Sequence, residues 1–394
     1  MSSRGPLQSP CGNVKRVTTS RHTWLWAGLA VPAVALVLSA WHHPMHLGGG
    51  FSIDFHTYLA AARVGLQSGW THLYDQALVA VEQRRLVPQL WAQPFLSPPG
   101  VAWLVVPLTP LPYWVAYSLW AVLTFAAFTA ALAWAGVSTG ISRWIAVLAA
   151  LSPWWVLHAV SVGQVVPLVA AGVVVAWRLL REKKDIAAGI VLSVIFLKPN
   201  TAFLAPFALL VAGRYRAFGA WVVAGGLIGL IALLTMGIDG TSSYVSQLLA
   251  PLPSGADSLT FKGALGVTGV AATIMRVIVV VIALVVAFKL RASSGLVLAA
   301  GIVGTLIVAT YLHGSDLCLL SAAAWFVWEE RTVLAWRIPL AIGWLLASPY
   351  PLLVGLGPNL NQFPLMEYAL LLALLVVAWR PLTIAADLRT RAPA

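Results

Sequence analysis

Long apolar runs separated by short polar interruptions fill almost the whole chain. They fall near 24–41, 112–135, 144–158, 165–180, 186–197, 200–212, 217–236, 265–288, 294–312, 316–328, 338–350 and 363–379. Runs of roughly 17–25 apolar residues cross a bilayer as helices, so the pattern predicts an all-α polytopic membrane protein with about 12 transmembrane helices. Several runs are short for that task, which predicts broken or tilted helices around a cavity. The first run is long for a signal-peptide core and lacks a convincing small-x-small site before Trp41, so it is read as an uncleaved helix. Two amphipathic stretches follow it, Asp54 to Gln67 and Leu73 to Trp91, and each is expected to lie on the outer membrane surface. The Pro-rich piece Pro98 to Pro112 is expected to form a re-entrant or short surface helix rather than a further crossing.

Composition supports the same class. Of 394 residues, 60% are hydrophobic and only 9% are charged, which leaves too little polar surface to cover a water-facing exterior. The net charge of +12 does not indicate nucleic-acid binding, because the basic residues are scattered between apolar runs instead of forming one face. With the termini cytoplasmic, the basic groups Arg178/Arg181/Lys183/Lys184, Arg214/Arg216, Lys289/Arg291, Arg331/Arg337 and Arg380/Arg389/Arg391 all fall inside, as the positive-inside rule requires. The chain then reads as a basic tail over 1–22, a single integral membrane domain over 23–380 and a second tail over 381–394. Outer loops cover 42–97 and 238–264.

This topology sorts the reactive groups onto one side. Asp54, Asp75, Glu82, Asp239, Asp257, Asp316 and Glu367 land at or near the outer face, together with His42, His43, His46, His56, His72, His158 and His313. Chemistry is therefore expected outside, away from ATP and soluble nucleotide sugars. The histidines match no tight zinc spacing, and Cys11 and Cys318 neither pair nor complete a metal set, so no metal and no cofactor is expected. No G-x-G-x-x-G or Walker pattern occurs. Asp54, just past Gly48-Gly49-Gly50, is the first carboxylate of the chain. It is either an N-cap of the following helix or an ionised acid placed to accept a proton.

The ordered string Ile53-Asp54-Phe55-His56-Thr57-Tyr58-Leu59-Ala60-Ala61-Ala62, then Gly69, Leu73-Tyr74-Asp75 and Phe95-Leu96-Ser97-Pro98-Pro99, resembles the opening of bacterial glycosyltransferase family 87. Pro107-Leu108, Leu111-Pro112, Trp120, Gly163-Gln164, Gly189, Leu197-Lys198-Pro199-Asn200 and Tyr311-Leu312-His313-Gly314-Ser315-Asp316-Leu317 continue the likeness to about residue 330. The resemblance implies a GT-C-type fold and a mannosyltransferase of the actinobacterial type that uses a polyprenyl-phosphate-mannose donor. The acceptor it implies is a glycolipid or lipoglycan of the cell envelope, met at the extracytoplasmic side of the plasma membrane.

Carried over by position, the resemblance makes Asp54 the catalytic base and His313 a second catalytic residue. Lys198, Arg276 and Arg63 become candidates for the donor phosphate, and His56, Tyr58, Gln164, Tyr311 and Asp316 candidates for substrate binding. Each has a plainer alternative. Lys198 could snorkel to outer headgroups, His313 could bond a backbone carbonyl, Asp316 could cap the next span, and Arg63 and Arg276 could touch lipid. A transporter or lipid flippase would also account for many spans, and the same fold could carry another polyprenyl-linked sugar such as arabinofuranose or glucose. The unusual residues gather at one face, however, rather than at the midplane ion sites of transporters.

Overall fold

The computed structural model describes residues 51–250, 259–330 and 365–379, with a few isolated positions in 28–37 and at 340. Apart from those positions, the expected spans 24–41 and 338–350, together with the histidines at 42, 43 and 46 and both tails, lie outside the described residues. Among the described residues every regular element is helical.

Three helices come first: α1 (Ile53–Ser68), α2 (Gln76–Leu86) and the short α3 (Pro99–Val105), which runs on as a 3-10 turn to Leu108. The sequence predicts a two-faced α1, yet nearly all of Ile53 to Gly65 is buried, with Asp54 and Arg63 the half-buried exceptions. Ala60, Ala61 and Ala62 allow close approach, so α2, α3 and the turn Trp70–His72 wrap α1 on several sides. From Pro99 to Leu108 at about 1.5 Å per residue the chain rises roughly 15 Å, half of a hydrocarbon core. By length this helical segment is too short to cross on its own.

The remaining helices form the apolar body: α4 (Tyr113–Ala135), α5 (Gly140–Leu151), α6 (Trp154–Val162), α7 (Val166–Arg181), α8 (Asp185–Leu192), α9 (Leu204–Val211), α10 (Tyr215–Leu249), α11 (Phe261–Leu265), α12 (Gly269–Lys289), α13 (Ser294–Val308), α14 (Cys318–Glu330) and α15 (Leu365–Trp379). Among the described residues α4, α10 and α12 are long and apolar enough to cross a membrane. The α5–α6 pair, bent by 63° at Ser152-Pro153, counts as a fourth if taken as one span. Several expected spans are thus interrupted helices. In α10, Gly237 (φ 69, ψ −175) breaks the helix. The part up to Met236 suffices for a core of about 30 Å at about 1.5 Å per residue.

The interruption that matters most for the site lies between α8 and α9. After α8 the chain tightens into a 3-10 turn, Ser193–Leu197, and stops at Lys198 (φ −152, ψ 73). Pro199 follows, and a proline ring disfavours the helical region for the residue before it. The chain then turns back through α9. Arg214, ahead of α10, lies 3.6 Å from Asp185 at the start of α8, so both arms begin and end at one end of the bundle. Lys198 is the tip of a helical hairpin.

Candidate functional site

Asp54 sits in the first turn of α1. The N-cap position belongs to Ser52, which takes a left-handed conformation and makes no side-chain cap bond. Ser52 is tied down instead: its N–H donates to the Ser161 carbonyl at 2.8 Å, and the Tyr113 hydroxyl donates to its Oγ at 2.8 Å. Tyr117 also donates to the Ser161 carbonyl at 2.8 Å, and the Trp120 indole donates to the Gly163 carbonyl at 2.9 Å. Gly163 closes α6 with φ 77, and a Cβ there would come within 2.5 Å of Phe55. A glycine is required on both counts. The result fastens the start of α1 to the α6–α7 connection and sets Gln164 beside Asp54.

Gln164 is 2% exposed and its amide orientation follows from its neighbours. Its Oε1 accepts from the Tyr58 hydroxyl at 2.6 Å and from the Val165 N–H at 3.2 Å, which leaves the NH2 to donate to Asp54. Tyr58, one turn beyond Asp54 on the same face of α1, is itself buried.

The opposite wall comes from the hairpin tip and from the segment between α13 and α14. Lys198 Nζ lies 3.5 Å from Asp316 Oδ1, with both side chains almost fully buried, and 5.3 Å above the Tyr311 ring. Asp316 Oδ2 accepts from the His313 N–H at 2.9 Å and from Asn200 Nδ2 at 3.3 Å. Asn200 also donates to the Tyr311 carbonyl at 2.9 Å. Asp316 thus caps the 3-10 turn Gly314–Leu317 and joins the hairpin tip to that segment. The His313 ring meets Tyr311 edge-on at 4.9 Å. Gly314 leaves room for Trp154, whose ring a Cβ would meet at 2.6 Å.

The two walls act on each other electrostatically. Withdrawal from water pushes the Asp54 carboxyl up to about 6, opposed by the nearby Lys198 ammonium, reinforced by Asp316 and eased by the Gln164 bond. Burial lowers the His313 pKa, which favours a neutral imidazole despite Asp316. The arrangement therefore holds a carboxylate that titrates just below neutrality, a neutral histidine, and an ammonium paired with one acid and felt electrostatically by the other. Among the described residues no group of three His, Cys, Asp or Glu could hold a metal ion.

Seven of the ten predicted site residues converge here: Asp54, Tyr58, Gln164, Lys198, Tyr311, His313 and Asp316. Three do not. His56 Nε2 bonds the Gln83 carbonyl at 2.7 Å. Arg63 pairs with Glu82 at 3.3 Å and donates to the Thr109 carbonyl at 3.0 Å. Both fix the helices around α1. Arg276 lies on α12 with its Nε buried and without a bond among the described residues, and no described contact links it to the group around Asp54. Asn200 is the site residue that sequence reasoning passed over. A lone amide after a proline, inside an otherwise apolar stretch, is the signal that could have found it.

Beside the hairpin tip an apolar cavity of about 830 Å³ opens between α3, the turn Ser193–Leu197 and α10. Pro99, Trp103, Leu197, Pro199, Met236 and Tyr244 are among its walls. It runs up to Pro199, the neighbour of Lys198.

The sequence profile of glycosyltransferase family 87 matches residues 95–349, well over half of the chain. The matched range contains Gln164, Lys198, Asn200, Tyr311, His313 and Asp316, whereas Asp54 and Tyr58 precede it. No curated protein and no solved structure matches the chain.

Proposed function

The chain belongs to glycosyltransferase family 87, and from that membership we propose that it moves mannose from a polyprenyl-phosphate donor to a glycolipid or lipoglycan acceptor. The reaction takes place at the extracytoplasmic side of the plasma membrane, in a GT-C-type body of about twelve spans. Asp54 takes the proton of an acceptor hydroxyl. The hydroxyl oxygen bonds to the anomeric carbon as the carbon–oxygen bond to phosphate breaks, and the electron pair leaves on the polyprenyl phosphate. A single displacement inverts the anomeric centre, so a β-linked donor yields an α-mannoside. The donor carries its own activation in the glycosyl phosphate bond.

The observation that carries this reading is the pairing of opposite walls: Asp54 on one, and Lys198 with His313 on the other, within electrostatic range. A base must be ionised and within reach of the proton it takes, and Asp54 is half-buried, held by Gln164 and titrates near 6. Lys198 has three N–H donors and meets Asp316 and the Tyr311 face, which leaves capacity for a phosphate oxygen. The apolar cavity reaches Pro199, the neighbour of Lys198, and its apolar walls suit the isoprenoid chain of such a donor. Holding the acceptor in line and stabilising the departing phosphate supply the rate gain.

The decisive experiment compares wild type with Asp54→Asn in the transfer of labelled mannose from polyprenyl-phosphate mannose to phosphatidylinositol mannosides. The variant should lose activity by about 10²-fold or more, the range of a general base. Full activity in correctly inserted Asp54→Asn would defeat the assignment.

A further inference from the structure

One ammonium faces two carboxylates in this site, and the carboxylate it pairs with is no longer free to act as a base. We infer that Asp316 is a positioning residue that acts through Lys198: by holding the ammonium on its own wall, it leaves Asp54 unpaired and able to take a proton. The inference rests on the reading of Asp54 as the base and adds the division of labour between the two acids.

Three observations carry it. Asp316 is fully buried, and its Oδ2 is engaged by the His313 N–H and Asn200, whereas its Oδ1 receives no hydrogen bond and faces Lys198 at 3.5 Å. Lys198 is fixed at the hairpin tip, with Tyr311 beneath its ammonium, so its place is set by the wall that carries Asp316. Asp54 takes a hydrogen bond from neutral Gln164 and feels Lys198 and Asp316 as charges across the site. An acid in a close ion pair is a weaker base, because the cation favours its ionised form.

The other titratable groups around α1 do not compete for this role. Tyr58 donates to Gln164. Glu82 and Arg85 on α2 pair with each other, and Glu82 also holds Arg63. His72 lies on the turn before α2, and His158 lies on α6 against Trp154. Tyr311 and His313 belong to the Asp316 wall. Removing the Asp316 charge both frees Lys198 to move toward Asp54 and deletes a repulsive neighbour. Both effects make Asp54 a weaker base.

The test is the pH dependence of kcat/KM, which reports the free enzyme's essential groups. Full-length protein in lipid nanodiscs is assayed with polyprenyl-phosphate-[14C]mannose and phosphatidylinositol mannosides. For Asp316→Asn the acid limb should move down by about one pH unit, with kcat reduced about tenfold. For Lys198→Met it should move up, since Asp54 loses its only described cation neighbour. A merely structural role would lower rates without displacing the limbs in opposite directions. Unmoved limbs, or limbs moved the same way, would overturn the inference.

Lys198→Met strands a buried carboxylate and can fail to fold. The double variant Lys198→Met/Asp316→Asn removes both charges together, and its limb should lie between those of the two single changes. A limb displaced as far as that of Asp316→Asn alone would overturn the inference as well. An inactive Asp54→Asn with unmoved Asp316→Asn limbs defeats only the positioning role, whereas an active Asp54→Asn defeats the base itself.

Discussion

The Tyr58 hydroxyl and Gln164 Oε1 meet at 2.6 Å across 106 positions of sequence, and this bond settles which end of the Gln164 amide faces Asp54. Without it the amide is free to turn its oxygen toward the carboxylate. Tyr58→Phe should therefore cost about 1 kcal/mol of stability, the usual net worth of such a bond, yet lower kcat about tenfold. Gln164→Leu removes the donor to Asp54 altogether and should raise the acid limb of the rate profile. Thermal melts set beside initial rates separate the two effects; a rate loss no larger than the stability loss predicts would refute the orienting role.

The titration of Asp54 near 6 predicts both rate and stability. Transfer should rise as pH passes upward through about 6, because the base must lose its proton to act. The sign for stability is opposite. A carboxyl raised in the folded state contributes stability that is complete below its unfolded pKa and lost as pH rises through about 6. Asp54→Asn should accordingly melt higher than wild type at pH 8, by less at pH 5, and about equally only below the unfolded pKa of 3.8, while being inactive. A uniform melting shift at both pH values would count against it.

Arg63 is predicted to be a structural residue. Its removal takes one partner from Glu82, whose side chain is only 6% exposed, and one bond from the Thr109 carbonyl. Arg85 remains as a second partner to Glu82 at 3.4 Å, so Arg63→Met should cost about 1–3 kcal/mol and leave the donor KM within about twofold. A large increase in donor KM in a well-folded variant would return Arg63 to the phosphate site.

The apolar cavity gives a test of chain length. Gly229 on α10 lines it, and a Cβ built there meets nothing within 4 Å. Gly229→Phe should fill part of the channel without strain. The KM should then rise several-fold for a long polyprenyl donor and stay nearly constant for a short, water-soluble isoprenoid analogue. Equal effects on both donors would place the chain elsewhere.

How far the sequence carried depended on the kind of information. Hydropathy revealed the helical membrane body, since apolar runs report lipid contact directly. It did not reveal where those runs break. The bend falls at Pro153 (φ −58, ψ 138), after a Ser152 still in the helical region, and the stop at Lys198 comes just before Pro199; a hydropathy sum averages such proline positions away. Within the site, helical periodicity held more than was read from it. Tyr58 stands four residues from Asp54, so the two share a face; His56 stands two away, on the far side. Arg63, nine residues on, is likewise turned away. The contacts of Lys198 with Asp316 and of Asn200 with Tyr311 join segments more than a hundred positions apart, and no local pattern could announce them.

The hairpin that carries Lys198 also sets the depth of the reaction. Its base lies beside the Asp185–Arg214 pair and the basic group 178–184, at the inner boundary in the proposed orientation. The arm from Asp185 to Leu197 rises roughly 20 Å at about 1.5–2 Å per residue, short of a hydrocarbon core of about 30 Å. A charged group borne on such an arm stays below headgroup level. On the proposed function, the sugar phosphate would have to sink to meet it and the acceptor be drawn down from the surface. On that same function, a hydroxyl that cannot leave the aqueous layer would then be excluded before the fit of its sugar is tested at all.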